Sequence, residues 1–209
     1  MRRIQLEKIK YVVRDSGGFR ATGIRDTSVE VQVPLIGIRA AVTPPRSDRP
    51  GYYLILGMRF EQNESGKHPL IFLGEHEDDL QSSLFKRFYN DTARLAVQRI
   101  YADVGNPGFF SGLWLNFKDL REVDVYPALH PEDVDYGLSL VREWLQDEAL
   151  DVPKCTPTIL RRQLGSLTAE TLELGTVIDP LRFLVSGFTH HRPTIRRSGQ
   201  FNEVTGYYY

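Results

Sequence analysis

Hydrophobic and polar positions change period several times along this chain, and those changes mark its elements. Val29, Val31 and Val33 alternate with Glu30 and Gln32, the period of two of a half-buried strand. Pro34 is expected to end that run, with a further strand starting near Leu35 and Ile36. Residues 52–58 are almost continuously apolar, as in a strand covered on both faces. Residues 69–73 form a second apolar run across a polar turn at 63–67, which predicts an antiparallel pair. From about Asp79 the period becomes helical. Leu80, Leu84, Phe88 and Leu95 share one stripe, with Phe85, Tyr89 and Ala96 beside it and Asp78 and Asp79 placed to cap the start.

Residues 99–103 read as a short buried strand that ends on Asp103 and runs into the turn Gly105, Asn106, Pro107, Gly108. The plain reading of Asp103 is an aspartate that caps this turn. The alternative is a carboxylate at a strand end, facing a ligand or metal. An apolar helix over 109–120, with Trp114 in the core, and a strand around Val123 and Val125 follow. A second long helix opens at Pro131 and buries Val134, Leu138, Val141 and Leu145, and Trp144 is a core residue. Two shorter helices have a cap-then-proline start and a glycine stop: Thr156 and Pro157 to Gly165, and Asp179 and Pro180 to Gly187.

The order is a hairpin, then helix and strand in alternation, which predicts an α/β domain with a mixed central sheet and helices on both faces. Three segments follow from composition. Residues 1–45 form a β-rich N-terminal extension, 46–188 the main domain, and 189–209 a basic, aromatic tail. The stretch 44–51, with three prolines and a closing Pro50-Gly51, reads as the linker between the first two.

Composition narrows the setting. The 209 residues are 41% hydrophobic and 25% charged, ordinary values for a globular protein, with a net charge of −1. No apolar run is long enough for a membrane span. Cys155 is the single cysteine, which excludes an internal disulfide and suits a reducing compartment such as a cytoplasm. Both ends are basic. Arg192, Arg196 and Arg197 near the C-terminus could track a phosphate backbone, or belong to a solvated tail. The run from Glu75 to Asp79 reads as a solvated loop and helix start, and His190 with His191 as a surface pair.

Three strings carry a resemblance. Residues 52–57 ending on Gly57, the string Tyr101-Ala102-Asp103-Val104-Gly105, and the string Val177-Ile178-Asp179-Pro180-Leu181-Arg182-Phe183 are similar, in order and rough spacing, to segments of the C-terminal nuclease domain of phage large terminases. Pro153, Lys154 and Cys155, with Leu160 and Gln163, are similar to the stretch before the last of these. The resemblance covers residues 45–188 and implies a ribonuclease-H-like fold. In that family a first strand carries Gly-x-Asp, a later strand ends in an acid followed by glycines, and a last helix begins with Asp.

The activity it implies is two-metal cleavage of DNA, double-stranded in the packaging or processing of phage genomes, with Mg2+ or Mn2+ on convergent carboxylates. Asp103 and Asp179 match the second and last acids, as metal ligands and catalytic residues. At the first position the alignment sets Arg59, after Gly57 and Met58, where the family has its aspartate. Glu61 is then the substitute acid and Glu75 a further candidate. Arg59 could instead pair with Asp103 as a buried ion pair. No Gly-x-x-x-x-Gly-Lys-Ser/Thr loop occurs, so the expectation is a stand-alone nuclease-like domain. Two functions follow: a metal-dependent endonuclease, or a non-catalytic DNA- or protein-binding component of the packaging motor or virion. A small-molecule enzyme has no motif in its favour.

Overall fold

In the computed structural model the described residues are 8–15, 18–25, 29–103, 105–117, 123–128, 134–152, 158–166, 177–190, 193–195 and 201–203. Their elements are β1 (Lys8–Asp15), β2 (Gly18–Arg25), β3 (Val29–Thr43), β4 (Gly51–Arg59), β5 (Leu70–Asp78), α1 (Gln81–Arg94), β6 (Arg99–Ala102), α2 (Pro107–Phe117), β7 (Asp124–Pro127), α3 (Val134–Gln146), β8 (Leu150–Asp151), α4 (Ile159–Ser166), α5 (Ile178–His190), β9 (Pro193–Ile195) and β10 (Phe201–Glu203).

The sheet is built around β3. Its C-terminal half pairs antiparallel with β4 from Leu35↔Arg59 to Thr43↔Tyr52, and parallel with β6 from Arg39↔Arg99 to Val42↔Ala102. Its N-terminal half pairs with β2, and β2 with β1. Beyond β4 lie β5 and then β8, and beyond β6 lies β7. The central order is therefore β5-β4-β3-β6-β7, mixed in direction, as expected for a ribonuclease-H-like sheet. Residues 29–43 are thus not part of a separate extension, and 44–50 is no interdomain linker. Pro34 does not end the strand either. It is exposed, and its carbonyl accepts the Phe60 N–H beyond the end of β4. The register of β3 and β4 shifts just after it, between Leu35 and Gly37. A proline that sits where the ladder is already broken costs little.

Alternation along β3 and β4 divides the core into two layers. Ile38, Ala40, Val42, Tyr53 and Ile55 meet Leu84, Phe88, Phe109 and Phe117 of α1 and α2. Ala41, Tyr52, Leu54 and Leu56 meet Trp144 of α3, Leu160 of α4 and Leu181, Leu184 and Phe188 of α5. Every residue of β4 is buried, which is why its sequence is continuously apolar. Trp144 is in the core as expected. Trp114 is not: it is 52% exposed, because Phe109, Leu113 and Phe117 supply the buried stripe of α2. Leu80 and Leu145 are also exposed, at the ends of their helices. Helix α1 starts at Gln81, and Asp78 accepts the Leu80 N–H instead of capping the helix itself.

Helix α1 is tied to the sheet by Asp91, which accepts the Tyr53 hydroxyl and two N–H bonds from Arg94, with Arg87 at 3.4 Å. Burial alone would raise the Asp91 carboxyl, but the bonds from Tyr53 and Arg94 and the arginine charges together hold it below the usual carboxylate range. A depressed folded-state value contributes stability above the unfolded value of about 3.9 and loses it as pH falls through the folded value. Urea unfolding across pH 2–6 should therefore show stability dropping at acid pH, and Asp91→Asn should flatten that limb.

Helix α5 lies closest to the sheet where Gly187 meets Tyr101. A methyl group at Gly187 would lie 2.5 Å from ring carbons of Tyr101. This glycine does not stop the helix, which continues to His190. It admits the sheet. Gly187→Ala should cost about 1–3 kcal/mol through overpacking, read as a lower urea midpoint at unchanged m-value.

Candidate functional site

Strands β3 and β6 run parallel and end together, so Thr43, Asp103 and the β3–β4 turn occupy one end of the sheet. The Asp103 N–H donates to the Val42 carbonyl, which continues the ladder one step beyond β6. The Asp103 carboxylate is used on both sides. Oδ1 accepts the Gly105 N–H at 2.8 Å, and Oδ2 accepts Arg46 Nη2 at 2.9 Å. The first bond is the turn-capping role read from the sequence, and Asn106 then caps α2 by accepting the Phe109 N–H. The second partner, Arg46, was not anticipated.

Asp179 lies inside the first turn of α5 and is not its N-cap. Its Oδ1 accepts Arg182 Nε at 3.0 Å, and its Oδ2 is 3.3 Å from Arg49 Nη2. Arg46 and Arg49 face each other across a tight turn, with Arg46 N–H to Arg49 O at 2.9 Å and the reverse bond at 3.4 Å. One four-residue turn therefore sends an arginine to each of the two acids that the family resemblance singled out. The composition of 44–51 concealed this. Prolines and a terminal Pro-Gly read as a linker, yet the same residues make a tight hairpin, and the two arginines on either side of a two-residue tip were the available signal.

The other sequence candidates lie elsewhere. Arg59 pairs with Leu35, seven residues along β4 from the Thr43↔Tyr52 end, a separation of about 23 Å at 3.3 Å per residue. It contacts Glu61 at 2.9 Å and the buried Asp151 at 3.5 Å. Arg59 is thus no partner of Asp103, and Glu61, half-exposed beside Arg59, completes no site with Asp103 and Asp179. The match of Gly57-Met58-Arg59 to the family's first acidic position requires β4 to lie next to β6, whereas β3 holds that place. Glu75 accepts the N–H groups of Ile159 and Leu160 at the start of α4 and the Tyr52 hydroxyl. Burial, then the Glu75 charge, pushes that tyrosine up. His190 stacks on Tyr136 and meets its hydroxyl at 3.1 Å. Arg192, Arg196 and Arg197 fall outside the described residues, as do Cys155 and His191.

Hard divalent cations held between strands need carboxylates from more than one of them. The position on β3 beside Asp103 is Thr43, a buried hydroxyl that donates to the Tyr52 carbonyl at 3.3 Å. On the same face four residues earlier stands Arg39, buried, whose guanidinium donates to the Gly187 carbonyl at 2.6 Å and to the Tyr101 hydroxyl at 3.2 Å and lies over the Phe188 ring. Among the described residues no group of three histidines, cysteines or acids could hold a metal. The donor set does not fit a two-metal centre.

No protein-family model and no curated protein matches the sequence. Among solved structures, the terminase nuclease domain of human cytomegalovirus, Mn-soaked with an inhibitor bound, aligns with a TM-score of 0.50 at 7% identity, over 74% of this chain and 82% of that one. This chain has a ribonuclease-H-like fold, similar to that of a terminase nuclease domain. The large-terminase nuclease domain of bacteriophage SPP1 with bound Mn aligns at 0.49 and 15% identity, over 70% and 75% of the two chains. T. thermophilus RuvC in complex with a Holliday junction substrate aligns at 0.42 and 11% identity, over 80% and 99%. At these identities the likeness is one of fold.

Within this fold, then, Arg59 belongs to the far end of the sheet. Arg59→Asp should set a new carboxylate against Asp151 and Glu61. We expect a loss of roughly 3–5 kcal/mol, as for a broken buried pair, and no gain in Mn2+ affinity, measured by thermal melting and metal titration.

Proposed function

We propose that this chain is a terminase-nuclease-fold domain that binds double-stranded DNA without cleaving it, as a component of phage genome packaging or of the virion. The observation that carries the reading is the absence of a carboxylate at the β3 position next to Asp103, where Thr43 stands. Engagement of both Asp103 and Asp179 by arginine supports it further. Mg2+ or Mn2+ catalysis by Asp103, Asp179 and Glu61 is the competing reading. Its third acid lies at the other end of β4.

The DNA-binding half of the proposal rests on charge. Arg46 is half-exposed at the sheet end, and Arg192, Arg196 and Arg197 follow α5 in sequence. Guanidinium groups suit phosphate oxygens through paired N–H donors. No helix among the described residues is long and apolar enough to cross a membrane.

The test combines binding and nicking. The wild type should bind duplex DNA in EDTA, with an affinity that falls steeply with salt. Replacing Arg192, Arg196 and Arg197 by Ala should make the log–log salt slope shallower by about 0.9 per lost phosphate contact. Plasmid should remain un-nicked in Mn2+. Robust nicking that disappears in Asp103→Asn would overturn the non-catalytic reading, and the absence of any DNA binding would overturn the other half. Thr43→Asp, which places a carboxylate at the register of Asp103, is the variant expected to gain Mn2+ affinity.

A further inference from the structure

We infer that the β3–β4 turn is a built-in substitute for metal cations: Arg46 and Arg49 neutralise Asp103 and Asp179 and hold β6 and α5 to the end of β3. This inference rests on the placement of the two acids and is independent of whether the domain binds DNA.

Four observations combine here. Both oxygens of each carboxylate are already committed, Asp103 to Gly105 and Arg46, Asp179 to Arg182 and Arg49. The two arginines issue from one turn closed by reciprocal backbone bonds, so they are presented together. That turn is held in place. Pro44, Pro45 and Pro50 restrict its arms, and Gly51 packs so tightly on Pro45 and Leu84 that a methyl group there would meet both at 2.7 Å. Asp179 and Arg182 are buried, at 7% and 5% exposure, and Arg49 nearly so, which keeps the pairing from solvent.

The charge balance follows. Arg46, Arg49 and Arg182 against Asp103 and Asp179 leave this group at +1. A divalent cation entering it meets net positive charge and must displace a guanidinium from each acid. A carboxylate taken partly or wholly out of water, at a strand end or a helix start, needs a cationic partner. Here the chain supplies one to each acid covalently, Arg46 to Asp103 and Arg49 to Asp179. The three tethered elements converge from distant parts of the sequence, so the pairing acts on tertiary structure alone.

The experiment is thermal melting of the whole chain, without DNA, in EDTA and in Mn2+. The wild type should melt at the same temperature in both. Arg46→Gln combined with Arg49→Gln should melt lower in EDTA, by about 3–6 °C, and recover in millimolar Mn2+, because the freed carboxylates then accept the ion. Adding Asp103→Asn and Asp179→Asn to that variant should abolish the recovery. Mn2+-dependent stabilisation of the wild type would overturn the inference, as would a double-Gln variant that melts like the wild type. A double-Gln variant that is destabilised but gains nothing from Mn2+ would overturn the substitution for metal. Because DNA is absent throughout, failure here leaves the DNA-binding proposal to its own test.

Discussion

A strand that is hydrogen-bonded along both edges and covered on both faces has no freedom to carry an unmatched charge, and β3 is such a strand. A deeply buried charge on it, Arg39, therefore dictates much of what surrounds it. The guanidinium is met by the Gly187 carbonyl, the Tyr101 hydroxyl and the face of Phe188. Two of these three belong to α5 and one to β6. The Gly187 carbonyl lies in the last turn of α5, where it has no partner within the helix, and it reaches a strand side chain because the helix lies very close to the sheet, an approach that Gly187 makes sterically possible. Once α5 is seated there, Asp179 in its first turn is carried to the neighbourhood of the β3–β4 turn, where Arg49 meets it.

The end of the sheet shows how a fold can persist with a different electrostatic solution. In two-metal chemistry, carboxylates from separate elements are reconciled by cations that also activate the reaction. A guanidinium reconciles the same charges but offers only N–H donors: it cannot coordinate a water and lower its pKa as a metal does, and its planar fork fixes direction as well as charge. Thr43 fits that solution. It contributes a hydroxyl satisfied by the Tyr52 carbonyl, so the buried position beside Asp103 needs no counter-ion. Elsewhere the structure uses the same device away from any site, with Lys67 held between Glu143 and Asp147 at the end of α3 and Arg59 between Glu61 and Asp151. These pairs tie the end of β4 to the edge strand β8, and the turn between β4 and β5 to the end of α3.

Much of the architecture was legible in residue order alone. Periodicity located β4, β5, β6 and the buried stripes of α1 and α3, because those patterns are set by burial of one or both faces and repeat at the spacing of a strand or a helix. The acids Asp103 and Asp179 stood out by their positions at a strand end and a helix start. What local pattern could not decide was adjacency. Pro34 and the proline-rich stretch after Thr43 made β3 look like the close of an appended segment, although a proline at a shifted register and a tight turn leave the strand intact. With β3 set apart in this way, local pattern puts β4, and with it Arg59 and Glu61, beside Asp103, where the sheet puts β3. Trp114 misled for a related reason. A helix with apolar residues on every side does not reveal which stripe is buried until its neighbours are in place.

By itself, then, the sequence determined which segments are strands and helices, that the domain is mixed α/β, and that two acids stand at the ends of such segments, since each of these follows from interactions a few residues apart. Only the tertiary structure decided that β3 lies between β4 and β6, that Thr43 and not Arg59 stands beside Asp103, and that Arg46 and Arg49 reach Asp103 and Asp179. Those facts depend on strand register and on the seating of α5, which bring together groups 57 residues apart in one case and 130 in the other, and no local periodicity encodes contacts at such separations.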